Sequence, residues 1–153
     1  MLVLAIVGTG GIFTGSNPSY TPLELSHHFR SSATSFIITE PELLGPITKA
    51  AEEVSISPDR IRIFDILGQS IPEGTVSWTE LLTHGEEDWV RFDDEVIAST
   101  TTAARLFSSG TTGLPKATNI THMNFVAEHE LVFELNPRPW RVCTSSPFSG
   151  SLC

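Results

Sequence analysis

The chain has 153 residues, of which 40% are hydrophobic and 18% charged, with a formal net charge of −9. Such a chain can bury a modest globular core. Its acidic balance argues against a nucleic-acid or anionic-membrane surface, and no stretch approaches the roughly 20 apolar residues of a membrane span. The only two cysteines, Cys143 and Cys153, form neither a CxxC pair nor a metal-ligand spacing with histidine, so a zinc site and a disulfide framework are not expected.

In chain order, the first feature is the apolar run Leu2–Val7. It has no basic residue before it and is broken by Gly8, Gly10 and Gly11, which disfavours a secretory signal; it reads as a buried strand or the last turn of a helix. The glycines of Gly8-Thr9-Gly10-Gly11 do not complete a dinucleotide fingerprint, because the third glycine position falls on Phe13. Thr21-Pro22-Leu23-Glu24 is a helix start: Thr21 caps, Pro22 suits the first turn and Glu24 completes a capping box. Leu25, His28 and Phe29 then share a helical face. His27 and His28 are expected at the surface or half-buried rather than as metal ligands. Phe36-Ile37-Ile38 reads as a short strand. A second helix starts near Pro46 with Ile47, Ala50, Ala51 and Val54 on one side, and Ile61–Phe64 reads as another strand. Ser77-Trp78-Thr79-Glu80 is a second capping box opening a short helix, and His84–Glu95 an acidic surface loop. Trp78, Trp89 and Trp140 read as packing residues. Ala103–Phe107 and Ala117–Ile120 are strand candidates on either side of a Ser/Gly/Thr-rich segment. Thr121 caps a helix reaching about Leu135, where Pro137 and Pro139 stop it. Alternating strands and helices predict an α/β fold with a partial, largely parallel or mixed sheet flanked by helices.

The chemistry lies between those last two strands, in Ser108-Ser109-Gly110-Thr111-Thr112-Gly113-Leu114-Pro115-Lys116. Gly110 and Gly113 permit positive φ and close approach of a ligand. Successive backbone N–H groups in such a turn make an anion-binding nest, the hydroxyls add donors, and Lys116 adds a mobile positive charge for phosphate oxygens. The charge distribution agrees: 14 of the 18 acids lie between Glu40 and Glu95, whereas Val96–Ala127 contains no acid and only two cations, Arg105 and Lys116. The segment is not a Walker loop, because two residues rather than four separate its glycines and Leu114-Pro115 precede the lysine. There is no GxSxG nucleophile elbow. His122, just past the loop, reads as a helix N-terminal residue making local contacts.

This ordered string, with Thr121-His122-Met123-Asn124 after it, resembles the signature loop of the AMP-forming acyl-CoA synthetase superfamily of adenylate-forming ligases, in particular its 4-coumarate–CoA ligase-like members. Gly10-Gly11-Ile12-Phe13-Thr14 and Asn17-Pro18-Ser19-Tyr20-Thr21-Pro22-Leu23-Glu24-Leu25 match a segment typical of the same family, and Glu40–Leu43, Ile61–Asp65 and Ser77-Trp78 also fit. The resemblance covers roughly residues 2–142. It implies a partial AMP-binding (adenylation) domain over 1–142, from the large N-terminal domain of such an enzyme, followed by a divergent, irregular tail over 143–153.

The activity it implies is ATP-dependent acid–CoA ligation: a carboxylate attacks the α-phosphorus of ATP, giving an acyl-adenylate and pyrophosphate, and the thiol of coenzyme A then displaces AMP. The implied cofactor is ATP with Mg²⁺, and the partners are small molecules: ATP, a carboxylic acid and coenzyme A. Ser108, Ser109, Gly110, Thr111, Thr112 and Lys116 would contact the phosphates and Gly113 would shape the turn. No catalytic residue is assigned, because the family's adenine, ribose and catalytic-lysine motifs have no counterpart in these residues. The family's usual glycine after the loop is replaced by Ala117. These departures predict incompleteness, open strand edges and, as the alternative function, an inactive product that at most binds nucleotide or a protein partner. Cytosolic or peroxisomal placement is implied by relatives; Ser151-Leu152-Cys153 resembles a peroxisomal tripeptide only loosely.

Overall fold

The computed structural model describes residues 2–108 and 115–134. Among the described residues the chain forms two small sheets with helices beside them, an α/β arrangement as the alternating pattern predicts. Leu2–Val7 is helical: α1 runs over Leu2–Gly8, with Leu4 56% exposed, so the buried-strand reading is replaced by the helical one. The glycine pair after it ends the helix. Gly10 adopts a φ of +77°, its N–H donates to the Val7 carbonyl at 3.0 Å, and the Gly11 N–H donates to the Ile6 carbonyl at 2.9 Å. This pair of bonds closes a helix C-terminus, for which glycine avoids the Cβ penalty of a left-handed backbone. At Gly11 a Cβ would stand 2.9 Å from the Ile6 carbonyl oxygen.

α2 (Pro22–Ser32) begins at the predicted capping box: the Glu24 N–H donates to Thr21 Oγ1 at 3.4 Å, and the Thr21 N–H donates to Glu24 Oε2 at 2.8 Å. These hydrogen bonds from the Thr21 backbone and side chain hold the Glu24 carboxyl below its ordinary range. Strand β1 (Ile37–Thr39), helix α3 (Leu44–Glu53) and strand β2 (Ile61–Ile63) make a parallel βαβ unit, with Ile37 opposite Ile61 and Thr39 opposite Ile63. α3 starts two residues before Pro46, which is tolerated because its missing N–H falls in the first turn. Leu25 and Phe29 of α2, Ile37 of β1, Ile47, Ala50 and Ala51 of α3, and Ile61 of β2 form one buried cluster, the core that the periodicity marks out.

A two-residue strand, β3 (Val76–Ser77), extends the sheet in the order β1-β2-β3. The second capping box does not form. The Ser77 hydroxyl accepts from Thr79 N–H at 3.2 Å, and the Glu80 carboxylate instead receives Arg62 Nε at 2.9 Å, so the segment Trp78–His84 is a 3₁₀ helix. Arg62 has a competing claim on Glu80 that spacing cannot reveal. Trp78 packs on Phe64 with ring centroids 5.2 Å apart, as a packing residue should; Trp89 is 59% exposed but its ring lies against Gly8, where a Cβ would stand 2.8 Å from it, and Trp140 lies outside the described residues. At the end of the region read as loop, Asp94 caps a short helix, α4 (Glu95–Thr100), accepting from Ile97 N–H at 2.9 Å. Beyond it, strand β4 (Thr102–Ser108) and strand β5 (Lys116–Thr121) pair antiparallel, and α5 (His122–Phe133) follows with Thr121 and Asn124 forming its capping box.

Candidate functional site

The predicted phosphate loop connects β4 to β5. Their ladder ends on the pair Ser108↔Lys116, so these two residues stand opposite each other at the mouth of the seven-residue connection 109–115. Ser109, Gly110, Thr111, Thr112 and Gly113 lie outside the described residues. Lys116 is exposed and, among the described residues, makes no ion pair. A free ammonium at a strand end is the state in which a lysine can meet a phosphate oxygen without first breaking an internal pair.

The other cation of the acid-free stretch is engaged elsewhere. Arg105 donates from a guanidinium nitrogen to the Ser32 carbonyl at the end of α2, and from Nε to Asn119 Oδ1 at 3.3 Å. A cation there offsets the negative end of the helix dipole. Of the two positive charges noted in the sequence, Lys116 is thus the one at the loop.

Three sets of contacts, from the segment after α1 and from α2, hold the hairpin in place. First, the segment after α1 runs beside β4: the Phe13 N–H donates to Ala103 O at 3.0 Å and the Arg105 N–H donates to Phe13 O at 2.8 Å. The two motif segments carrying the resemblance, about ninety positions apart in sequence, are therefore neighbours in space. Second, the Thr14 hydroxyl donates to Arg105 O at 2.8 Å and lies 3.0 Å from His28 Nε2. With the hydroxyl proton already committed, His28 Nε2–H is the donor to Thr14. The His28 ring stacks on Phe107 with centroids 3.9 Å apart. Third, His27 Nε2 lies 3.1 Å from Pro115 O; a carbonyl only accepts, so His27 donates to the last residue of the loop.

His28 is 2% exposed, deeper than the sequence suggested, and Nδ1 has no partner among the described residues. Burial, with the neighbouring His27 charge as the lesser cause, lowers its pKa below the ordinary histidine value. His122 is the first residue of α5 and makes local contacts as expected, stacking on Phe92 at 3.7 Å; burial lowers its pKa too. It sits at the far end of β5 from the loop, about 15–20 Å along the strand, so nearness in sequence does not bring it to the loop.

Among the described residues no group of three or more side chains could hold a metal ion, and no helix is long and apolar enough to cross a membrane. Beside α2 lies a cavity of about 440 Å³, whose lining includes Phe13, Thr14, His28, Phe36, Ile38 and Phe64.

This arrangement, a glycine- and hydroxyl-rich connection ending on a free lysine and backed by an α/β layer, agrees with what comparison with known proteins finds. The family model described as AMP-binding enzyme matches residues 1–150. The chain belongs to the AMP-binding enzyme family. It is 47% identical over 142 residues to the acyl-CoA ligase azaF of Aspergillus niger, a match covering 92% of this chain and 27% of that protein. It is equally similar to the phenylacetyl-CoA ligase epaB of Aspergillus niger, covering 92% and 26% respectively. Among solved structures, ATP-bound MatB from Rhodopseudomonas palustris superposes with a TM-score of 0.63 at 26% identity, covering 86% of this chain and 24% of that one. The chain thus spans about a quarter of the length of the relatives it matches.

The strands flanking the loop and the capped helices α2 and α5 of this AMP-binding segment were legible in the sequence. The roles of Thr14, His27 and His28 behind the hairpin were not. Their one sequence signal is that Thr14 and the helix-face histidine lie within or beside the upstream motif segment.

Proposed function

We propose that these residues form the ATP phosphate-binding part of an AMP-forming acid–CoA ligase, with Ser108, Ser109, Gly110, Thr111, Thr112 and Lys116 contacting the triphosphate and Gly113 shaping the turn. The observation that carries the reading is Lys116: an exposed ammonium, without an ion pair among the described residues, set opposite Ser108 where β4 and β5 close on the loop. The ATP bound to MatB and the CoA-ligase names of azaF and epaB support it.

The physical task is electrostatic. A carboxylate approaching the α-phosphorus is repelled by the triphosphate, so neutralising and aligning the β- and γ-phosphates lowers the barrier. The loop amides, hydroxyls and Lys116 supply that neutralisation; Mg²⁺ would accompany the nucleotide and share the phosphate charge. In the reaction the acid oxygen bonds to the α-phosphorus as pyrophosphate leaves, and the thiol of coenzyme A then takes the acyl group as AMP leaves. Membership among the 4-coumarate–CoA ligase-like enzymes and a cytosolic or peroxisomal location belong to the same proposal. The name of epaB points to arylacetic acids as the first substrates to try.

Titration calorimetry with MgATP tests the site. Binding by the wild-type chain, weakened at least about tenfold by Lys116→Ala, is the expected result, tenfold being the scale of one charge-assisted hydrogen bond. Binding that ignores the substitution, or no binding, overturns the loop assignment. Pyrophosphate release with phenylacetic, other aryl and fatty acids is not expected from these residues alone; release above background would overturn the expected incompleteness.

A further inference from the structure

The structure ties both arms of the β4–β5 hairpin to two consecutive residues of one helix. On the outgoing arm, His28 stacks on Phe107 at 3.9 Å, and its Nε2–H meets Thr14, whose hydroxyl donates to Arg105 O. On the returning arm, His27 Nε2–H donates to Pro115 O at 3.1 Å, immediately before Lys116. The two side chains belong to neighbouring positions of α2, roughly 100° apart around the helix, so one reaches inward to the core and the other sideways to the loop. His28 is buried accordingly, whereas His27 is half-buried, with Ser31 Oγ 3.5 Å from the same Nε2.

Pro115 has no N–H, so its carbonyl is its sole backbone hydrogen-bonding group, and that group is held by His27. The capping box of Thr21 and Glu24 and the buried cluster with Leu25 and Phe29 fix α2 itself. The tether therefore runs from a rigid element to the backbone next to the candidate phosphate-binding lysine. A ligand site of this kind gains affinity when its backbone is held in the bound arrangement before the ligand arrives.

We propose that His27 and His28 are positioning residues that clamp the two rims of the phosphate loop onto α2, His27 setting where Lys116 stands. This rests on the nucleotide reading above. Neither histidine is assigned contact with ATP.

The test has two arms, both on the full chain. The first is amide hydrogen exchange without nucleotide. His27→Ala should speed exchange of the peptide covering 106–118 several-fold and leave the peptide covering 44–54 unchanged. His27→Gln, whose amide can still donate to Pro115, should restore most of the protection. His28 is too deeply buried for its removal to spare the core, so its arm is probed by Thr14→Val, which should loosen the same peptide. Unchanged exchange in His27→Ala overturns the tether whatever the chain binds.

The second arm is MgATP affinity by calorimetry. His27→Ala should weaken binding about threefold to tenfold, the effect of one neutral hydrogen bond, with recovery in His27→Gln. Faster exchange with unaltered affinity overturns the positioning role and leaves a purely structural bond. No MgATP binding by the wild-type chain overturns the nucleotide reading and with it the positioning role, while the exchange arm still decides the tether.

Discussion

Leu25 and Phe29 of α2, Ile47, Ala50 and Ala51 of α3, and Ile37 and Ile61 of the strands close over one another, whereas around the β4–β5 hairpin the buried hydrophobic residues are Ala98, Ala103 and Ala104. No residue of α5 is fully buried among the described residues: His122 is half-buried, and Phe125, Val126, Leu131, Val132 and Phe133 are all more than a third exposed. Yet α2 and α5 start alike, each with threonine at the cap and a side chain three residues on that returns to it. The same local device thus serves a helix locked by tertiary packing and one held by local bonds and a few neighbours. Capping chooses where a helix begins; burial decides how much of the molecule depends on it.

The contrast can be broken most directly at Ile63, fully buried on β2. Ile63→Ala should lower global stability by about 2–5 kcal/mol, read from chemical denaturation; a loss below about 1 kcal/mol would mean that the α2–α3–β1–β2 layer is not the stability core. Acidification should weaken that layer next. Burial holds the His28 pKa below its ordinary value, and His122 behaves likewise. The unfolded chain therefore takes up protons near pH 6.5 while the folded chain resists, so stability is full above about pH 6.5 and falls as the pH drops through the lowered native values. The melting midpoint across pH 7 to 4.5 should fall, and His28→Gln should flatten the profile; an unchanged slope in that variant would exclude His28 as a source.

The cap pair sharpens the comparison further. Thr21→Ala should cost about 1 kcal/mol of global stability, because α2 carries the core. Thr121→Ala removes an equivalent cap worth about 1 kcal/mol to the helix, but the loss should appear as fraying of α5 in helical circular dichroism or hydrogen exchange rather than as a shift of the main transition. Equal shifts from both would contradict the division drawn here. The smallest effect is expected at Leu131, 59% exposed on α5: Leu131→Gln should change stability by no more than about 0.5 kcal/mol.

The helix starts were readable because capping is local. Thr21 and Glu24 lie within one turn, and so do Thr121 and Asn124. The short strand Ile37–Thr39 was readable from the apolar run at Phe36–Ile38, and Ile61–Ile63 from its alternation of apolar and basic residues. The box at Ser77–Glu80 misled because Arg62, eighteen positions away, takes the Glu80 carboxylate. α4 escaped notice because its six residues are too few for a period to show. At the site, Lys116 and the residues of its loop were legible as an ordered string. Arg105, the other cation of the acid-free stretch, is held by the Ser32 carbonyl at the end of α2, a pairing that spacing does not reveal.

The sequence by itself therefore determined the chemical identity of the loop, the capped helix starts and the membership in the AMP-binding family, because each is written in neighbouring residues. Tertiary structure decided which cation faces the loop, that Thr14 and two histidines stand behind it, and that His122 does not. Those outcomes depend on pairings between residues up to ninety-one positions apart, and the physics that selects among such pairings is burial and hydrogen-bond competition in three dimensions, which no local pattern records.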